Sequence, residues 1–357
     1  MEKHPKLWSI DKIAGNALLL SMILSLLFVG PAEATTDTVT EQEPRYKYAA
    51  RPSEKLYIER APSKQRLVCN STVGVVQGVD TNPLLDPTKK ADAYIEETVD
   101  MHFKYPIANL GPGPLNSRFG FNIANINYYN ITDVNIFDGV LDARLEQDFY
   151  DKFTLSVGYV FEPLIFPNDR NGSYLGNELN VSLRHKITKT FYQKLTYKLI
   201  FREFISRKAY LGNGTAGTDL RQDLRNLFEH EFGIYPTNNS KVRLVNQFFI
   251  NESNDQYYDY YDYINYRVGL SLTQFFTDKL YGTTAFYYQR RDYDSRIVSD
   301  RDSTENDNLF LVTGSLLYDL KKDLTVFINY SHTENHTNEP LQKYGDTMYS
   351  TGVYYSF

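Results

Sequence analysis

The side chains able to do chemistry in this 357-residue chain are charged residues set at every second position of otherwise apolar segments. The basic ones are Arg184, Lys186, Lys194, Lys198, Arg202, Arg221, Arg225, Arg243 and Arg267. Acidic ones dominate earlier segments as Glu96, Asp100, Asp142, Glu146 and Asp148, and Glu178, Glu229 and Glu231 are mixed among the basic set. On an extended strand a spacing of two puts side chains on one face, so each of these charged rows backs an apolar row. Two chemistries follow. A basic wall facing a more acidic one across water would orient and pass polar or anionic solutes. Alternatively the charges pair with one another and only solvate or fill an interior.

Other candidates are weaker. The run Tyr257, Tyr258, Tyr260, Tyr261 and Tyr263, broken by Asp259 and Asp262, suits stacking on sugar rings, and equally suits an interfacial aromatic girdle that runs into a solvated loop. Asp300, Asp302, Glu305 and Asp307 form an acidic stretch, but their spacing lacks the Gly and closing Glu of the regular calcium loop. His332 and His336 lie four apart, a spacing that favours metal only on a helix, so no metal site is expected. His102, His185 and His230 sit in no nucleophile motif, and the expectation is a chain with no enzymatic activity and no cofactor.

The elements that carry the charged rows are short two-period segments from residue 66 onward. Phe153, Leu155, Val157, Tyr159 and Phe161 oppose Thr154, Ser156 and Gly158; Ile264, Tyr266, Val268, Leu270 and Leu272 oppose Asn265, Arg267, Gly269 and Ser271. Counting such segments gives about fourteen strands, an even number of the kind closed antiparallel barrels use. Short turns such as 148–154, 187–191, 236–241, 276–280 and 319–324 alternate with longer polar loops, with one exception, a longer Pro/Gly turn near 106–117. The predicted fold is therefore an all-β, antiparallel, up-and-down transmembrane barrel over residues 65–357, its apolar faces to lipid and its charges to the lumen. Closure satisfies every backbone donor and acceptor within the bilayer. The register of the segments near 279–291 and 308–320 is ambiguous.

Composition agrees. The chain has 30 Tyr and 22 Phe but one Cys, Cys69, which excludes an intramolecular disulfide. A net charge of -6 argues against a nucleic-acid partner. Residues 1–34 read as a cleaved secretory signal, with Lys3, Lys6 and Lys12, an apolar run from Ala17 to Val29, and a small-x-small site ending at Ala34. Residues 35–64 read as an extended periplasmic arm, or a partial plug of the lumen.

Two stretches carry a resemblance. The ending Asp346 to Phe357 sets Tyr349, Thr351, Val353, Tyr355 and Phe357 on one face. It resembles the C-terminal insertion signal of bacterial outer-membrane β-barrels, with Tyr355 and Phe357 at the signal positions. The segment Gly78 to Asp100 resembles the first hairpin of outer-membrane porin families found near exopolysaccharide and export genes, on Asp80, Asn82, Asp92 and Tyr94. The resemblance implies residence in the bacterial outer membrane, contact with its lipid and lipopolysaccharide, and recognition by the barrel-insertion machinery. It also implies a porin-like channel for small polar or anionic solutes or saccharides. The competing expectation is a plugged structural or adhesive barrel that binds glycans or host surfaces through its Tyr-rich loops.

Overall fold

A computed structural model describes residues 67–357, apart from 88, 112, 258 and 300–302. The signal at 1–34 and nearly all of the arm-to-barrel junction, including the arm at 35–64, lie outside the described residues, as does Tyr258. The strands are β1 (Val68–Asp80), β2 (Asp92–Leu110), β3 (Gly113–Tyr128), β4 (Ile136–Phe149), β5 (Phe153–Ile165), β6 (Tyr174–Lys186) and β7 (Phe191–Tyr210). They continue as β8 (Ala216–Thr237), β9 (Ser240–Ser253), β10 (Tyr263–Phe275), β11 (Leu280–Ile297), β12 (Thr304–Asp319), β13 (Leu324–Thr337) and β14 (Tyr344–Ser356). Each pairs antiparallel with its sequence neighbours, and β1 pairs with β14, so the sheet closes as a barrel with no free edge. The last residue takes part in the closure: the Phe357 amide donates to the Ser71 carbonyl and the Ser71 amide to the Phe357 carbonyl, at 2.9 and 3.2 Å.

Exposure alternates along the strands, and the exposed row is the greasy one. Leu155, Val157 and Tyr159 on β5, Val181 and Leu183 on β6, Leu270 and Leu272 on β10, and Val353, Tyr355 and Phe357 at the end all present apolar surface outward. An outer face built this way suits a hydrocarbon solvent, whereas water would penalise so much contiguous apolar area. Among the described residues no helix is long and apolar enough to cross a membrane.

One end carries the short turns at 111–112, 150–152, 187–190, 238–239, 276–279 and 320–323; the other carries the loops at 81–91, 129–135, 166–173, 211–215, 254–262, 298–303 and 338–343. The exception expected at 106–117 disappears, because β2 and β3 run on through it. Pro106 is carried at a register shift, and Gly111 turns the chain with φ at 33°. The strands near 279–291 and 308–320 resisted reading for a physical reason: β12 points Leu309, Leu311 and Leu317 inward while Phe310, Val312 and Leu316 point outward, so both of its faces are apolar. Leu317 packs in a lumen cluster with Val76, Tyr281, Phe327 and Tyr354 towards the turn end.

Candidate functional site

The register fixes which residues share the inward face. Glu96 and Asp100 on β2 and Asp142 and Glu146 on β4 fall on it, as do Arg184 and Lys186 on β6. So do Lys194, Lys198 and Arg202 on β7, Arg221, Arg225, Glu229 and Glu231 on β8, Arg243 on β9 and Arg267 on β10.

The walls they form are less pure than the sequence count suggests, because partners of opposite sign intrude, some from neighbouring strands and some from two residues along the same strand. On the acidic side, Arg118 of β3 donates through Nε to Glu146 of β4, His102 stands 2.7 Å from Asp100, and Arg144 is 3.9 Å from Asp142. On the basic side, Lys198 lies 3.5 Å from Glu178 and Arg243 3.9 Å from Glu231. Gln247 donates to Glu229 at 2.7 Å, and Arg184 lies with its guanidinium carbon 4.0 Å from the Tyr192 ring centroid. Arg267 bridges strands through neutral acceptors, donating to Gln289 at 2.8 Å and Gln247 at 3.3 Å. His102 shares the polar face of its strand with Glu96 and Asp100, and Arg118 precedes the apolar row at Phe119, so extending that row's alternation one residue back would have found it.

These middle charges are only partly covered by the described residues around them. The side chains of Arg118, Arg144 and Lys198 are 38%, 34% and 28% exposed, although all three point into the lumen. A lumen filled by its own side chains would bury them.

Towards the loop end the inward face changes character. Arg221 is fully buried and grips Asp223, two residues on, through Nε and Nη2 at 2.9 and 2.6 Å. Arg225 donates to the Tyr263 hydroxyl at 2.7 Å and lies 4.4 Å from the Phe249 ring. Arg291 lies 4.7 Å from the Tyr263 ring and donates to the Tyr293 hydroxyl at 2.9 Å. Arg296 lies 4.8 Å from Tyr293 and 4.2 Å from Tyr260, and pairs with Glu305 at 2.8 Å. Stacking guanidinium on aromatic faces keeps a charge inside while shedding little solvation, which arginine does better than lysine. Arg291 ends the segment whose register was ambiguous, and Arg296 lies beyond it in a stretch that reads as a loop, whereas β11 runs on to Ile297. Glu305 and Asp307, expected in an acidic loop, belong to β12; Asp300 and Asp302 lie outside the described residues.

The tyrosine run is divided by the fold. Tyr257 is exposed, Tyr260 is half-buried, and Tyr261 and Tyr263 are buried on the lumen side, Tyr263 as the first residue of β10. Outward loop contact by Tyr261 and Tyr263 is therefore not what the structure presents. Both turn inward because arginine partners wait there: Arg207 and Arg221 for Tyr261, Arg225 and Arg291 for Tyr263.

The hairpin residues Asp80, Asn82, Asp92 and Tyr94 form a clasp at the loop end. Asp80 accepts from the Asn82 amide and the Tyr128 hydroxyl, each at 2.8 Å. Asn82 donates to the Asp86 and Gly345 carbonyls, tying the first loop to β14. Asp92 accepts from the amides of Asn130 and Ile131 at 2.8 and 2.7 Å, and from the Asn130 side chain. Gly78 is required because a Cβ there would stand 2.5 Å from the Tyr94 ring. These residues hold loops together rather than line the middle of the lumen. His332 and His336 both bond Glu334, at 3.3 and 3.0 Å, and among the described residues no His, Cys, Asp and Glu group has metal-binding geometry.

The outer membrane channel DcaP of Acinetobacter baumannii superposes with a TM-score of 0.50 at 10% identity, over 82% of this chain and 97% of that one. The fold is that of the bacterial outer-membrane β-barrels. An anion-selective porin from Comamonas acidovorans gives 0.45 at 9% identity, over 82% and 100% of the two chains. OmpT of Vibrio cholerae, an outer membrane protein, gives 0.46 at 9%, over 82% and 98%. No family model and no curated protein matches the sequence. At such identities the likeness is one of fold.

Proposed function

We propose that the chain is a channel of the bacterial outer membrane that passes small polar or anionic solutes or saccharides, and that it has no enzymatic activity. The observation that carries this reading is the middle of the lumen, where the inward charges Arg118, Arg144 and Lys198 on β3, β4 and β7 stay partly exposed rather than buried by their neighbours. Fixed charges lining a water-filled passage bias which ions enter it and how dipolar solutes turn. The barrel's strand number agrees, since fourteen strands enclose more than side chains alone fill.

In this reading the turn end and Phe357 face the periplasm and the longer loops face outward, after cleavage of the signal near Ala34. The outward apolar rows meet lipid and lipopolysaccharide, and Tyr355 and Phe357 serve the insertion machinery. The alternative, a plugged barrel that holds glycans through loop tyrosines, has against it that Tyr261 and Tyr263 turn inward.

Liposome swelling tests the reading. Vesicles that contain the folded barrel should swell in isotonic small sugars and short organic acids at rates that fall with solute size. Rates equal to those of protein-free vesicles would overturn it.

A further inference from the structure

Tyr261 is placed as a bound ligand would be. Its ring centroid is 3.3 Å from the guanidinium carbon of Arg221, which also lies 4.4 Å from the Phe204 ring. Its hydroxyl accepts from Nη2 of Arg207, and its carbonyl accepts from the Asn251 side chain at 2.9 Å. Tyr260 stands edge-on to it, with centroids 4.9 Å apart and planes at 75°, and carries Arg296 on its own face. Guanidinium groups from β7, β8 and β11 thus converge on two rings of one loop, at the loop-end mouth of the lumen.

The position has two chemical requirements. The surface beneath the ring is a flat guanidinium whose charge is already met by Asp223, so it rewards a flat conjugated group more than a bare anion. The far edge of the ring meets a second guanidinium, Arg207, which rewards an oxygen with negative charge. A saccharide offers a puckered ring and gains little against a guanidinium plane, whereas sugars stack well on exposed aromatic faces. We propose that Arg207 and Arg221 form a subsite for planar aromatic acids, solutes with a conjugated ring and a carboxylate or phenolate at its edge. Tyr261 occupies the subsite when no solute is bound. Rotation of Tyr261 about its own side-chain bonds vacates it, so an arriving ring exchanges for the resident one and the arginines are never left bare. The subsite deepens the channel reading and rests on it for access, since a solute reaches it through the lumen mouth.

The test uses the mature chain folded in detergent, with 4-hydroxybenzoate and cyclohexanecarboxylate as probes that share a single charge but differ in planarity. Calorimetric titration of Tyr261→Ala should show 4-hydroxybenzoate bound about tenfold more tightly than cyclohexanecarboxylate, and tighter than by wild type, whose own ring competes. Adding Arg207→Gln should remove about tenfold of that affinity. Should Tyr261→Ala fail the heat-modifiable gel test for folding, Tyr261→Ser, alone and with Arg207→Gln, carries the same comparison. Equal affinity for the two acids, or none for either, in folded Tyr261 variants would overturn the subsite. Conductance of the same preparations separates the two readings: protein that conducts without discriminating the acids overturns the subsite alone, and protein that discriminates without conducting supports the subsite and overturns the channel.

Discussion

Arg118 on β3 donates through its Nε to Glu146 on β4, joining residues 28 positions apart in the chain across one step of the barrel wall. The pair lies in the middle of the lumen, where partly exposed ion pairs contribute on the order of 0.2 to 1 kcal/mol to stability. Its influence on passing ions is larger than its influence on folding. Glu146→Gln should leave the denaturation midpoint almost unchanged and move the reversal potential towards anions; Arg118→Gln should move it towards cations. Reversal potentials that stay fixed in both variants would remove this pair from the conduction path.

Arg221 and Asp223 are the contrasting case, a fully buried pair at the packed mouth. Removing one partner leaves an uncompensated charge, so Asp223→Asn should cost about 3 to 5 kcal/mol, whereas replacing both with apolar residues of similar volume should cost much less. Urea unfolding in vesicles checks both variants.

The two faces of β10 make the membrane assignment testable within adjacent residues. Leu270→Arg places a charge on the outward face and should destabilise by about 2 to 4 kcal/mol in a bilayer, while Ser271→Arg, on the inward face, should cost far less. Similar losses at both positions would contradict a lipid-facing row.

Asp262 gives the loop 254–262 a pH dependence. Burial raises its carboxyl to about 7, with Asp259, Asp294 and Glu252 adding repulsion, while its bond from the Ser253 amide at 2.7 Å opposes the rise. A carboxyl with a raised folded value contributes stability that is fully present below its unfolded value near 4 and is lost as pH climbs through about 7. Amide exchange in this loop, corrected for intrinsic rates, should therefore show protection falling between pH 5 and 8. Asp262→Asn should flatten that profile.

The clasp at the loop end should be sensitive at one acid. Asp92→Ala strands the buried amide of Ile131, at about 1 to 3 kcal/mol, and frees the part-buried amide of Asn130 to water at less. Limited proteolysis should then nick the 129–135 loop while the strands stay protected.

The fold was legible because a single alternation decides it. Where one face is apolar and the other polar, as on β5 and β10, period two names strand, register and facing together. β12 defeated that reading, since Leu309, Leu311 and Leu317 point inward, Leu317 into the lumen cluster, and blur the contrast between faces. The charged rows were legible by the same parity. What the sequence hid is contact across strands: that Arg118 meets Glu146, that Tyr261 turns in to Arg221, and that a bulge between Asp292 and Ile297 brings Arg296 to Glu305. Local sequence carries no signal for partners set by register shifts and loop folding.

Single-channel recording of the folded mature chain in a planar bilayer under a salt gradient tests the channel most directly. Discrete conductance steps, with a reversal potential that moves in opposite directions for Glu146→Gln and Lys198→Gln, are the predicted result. Protein that inserts and resists protease yet never conducts would contradict it.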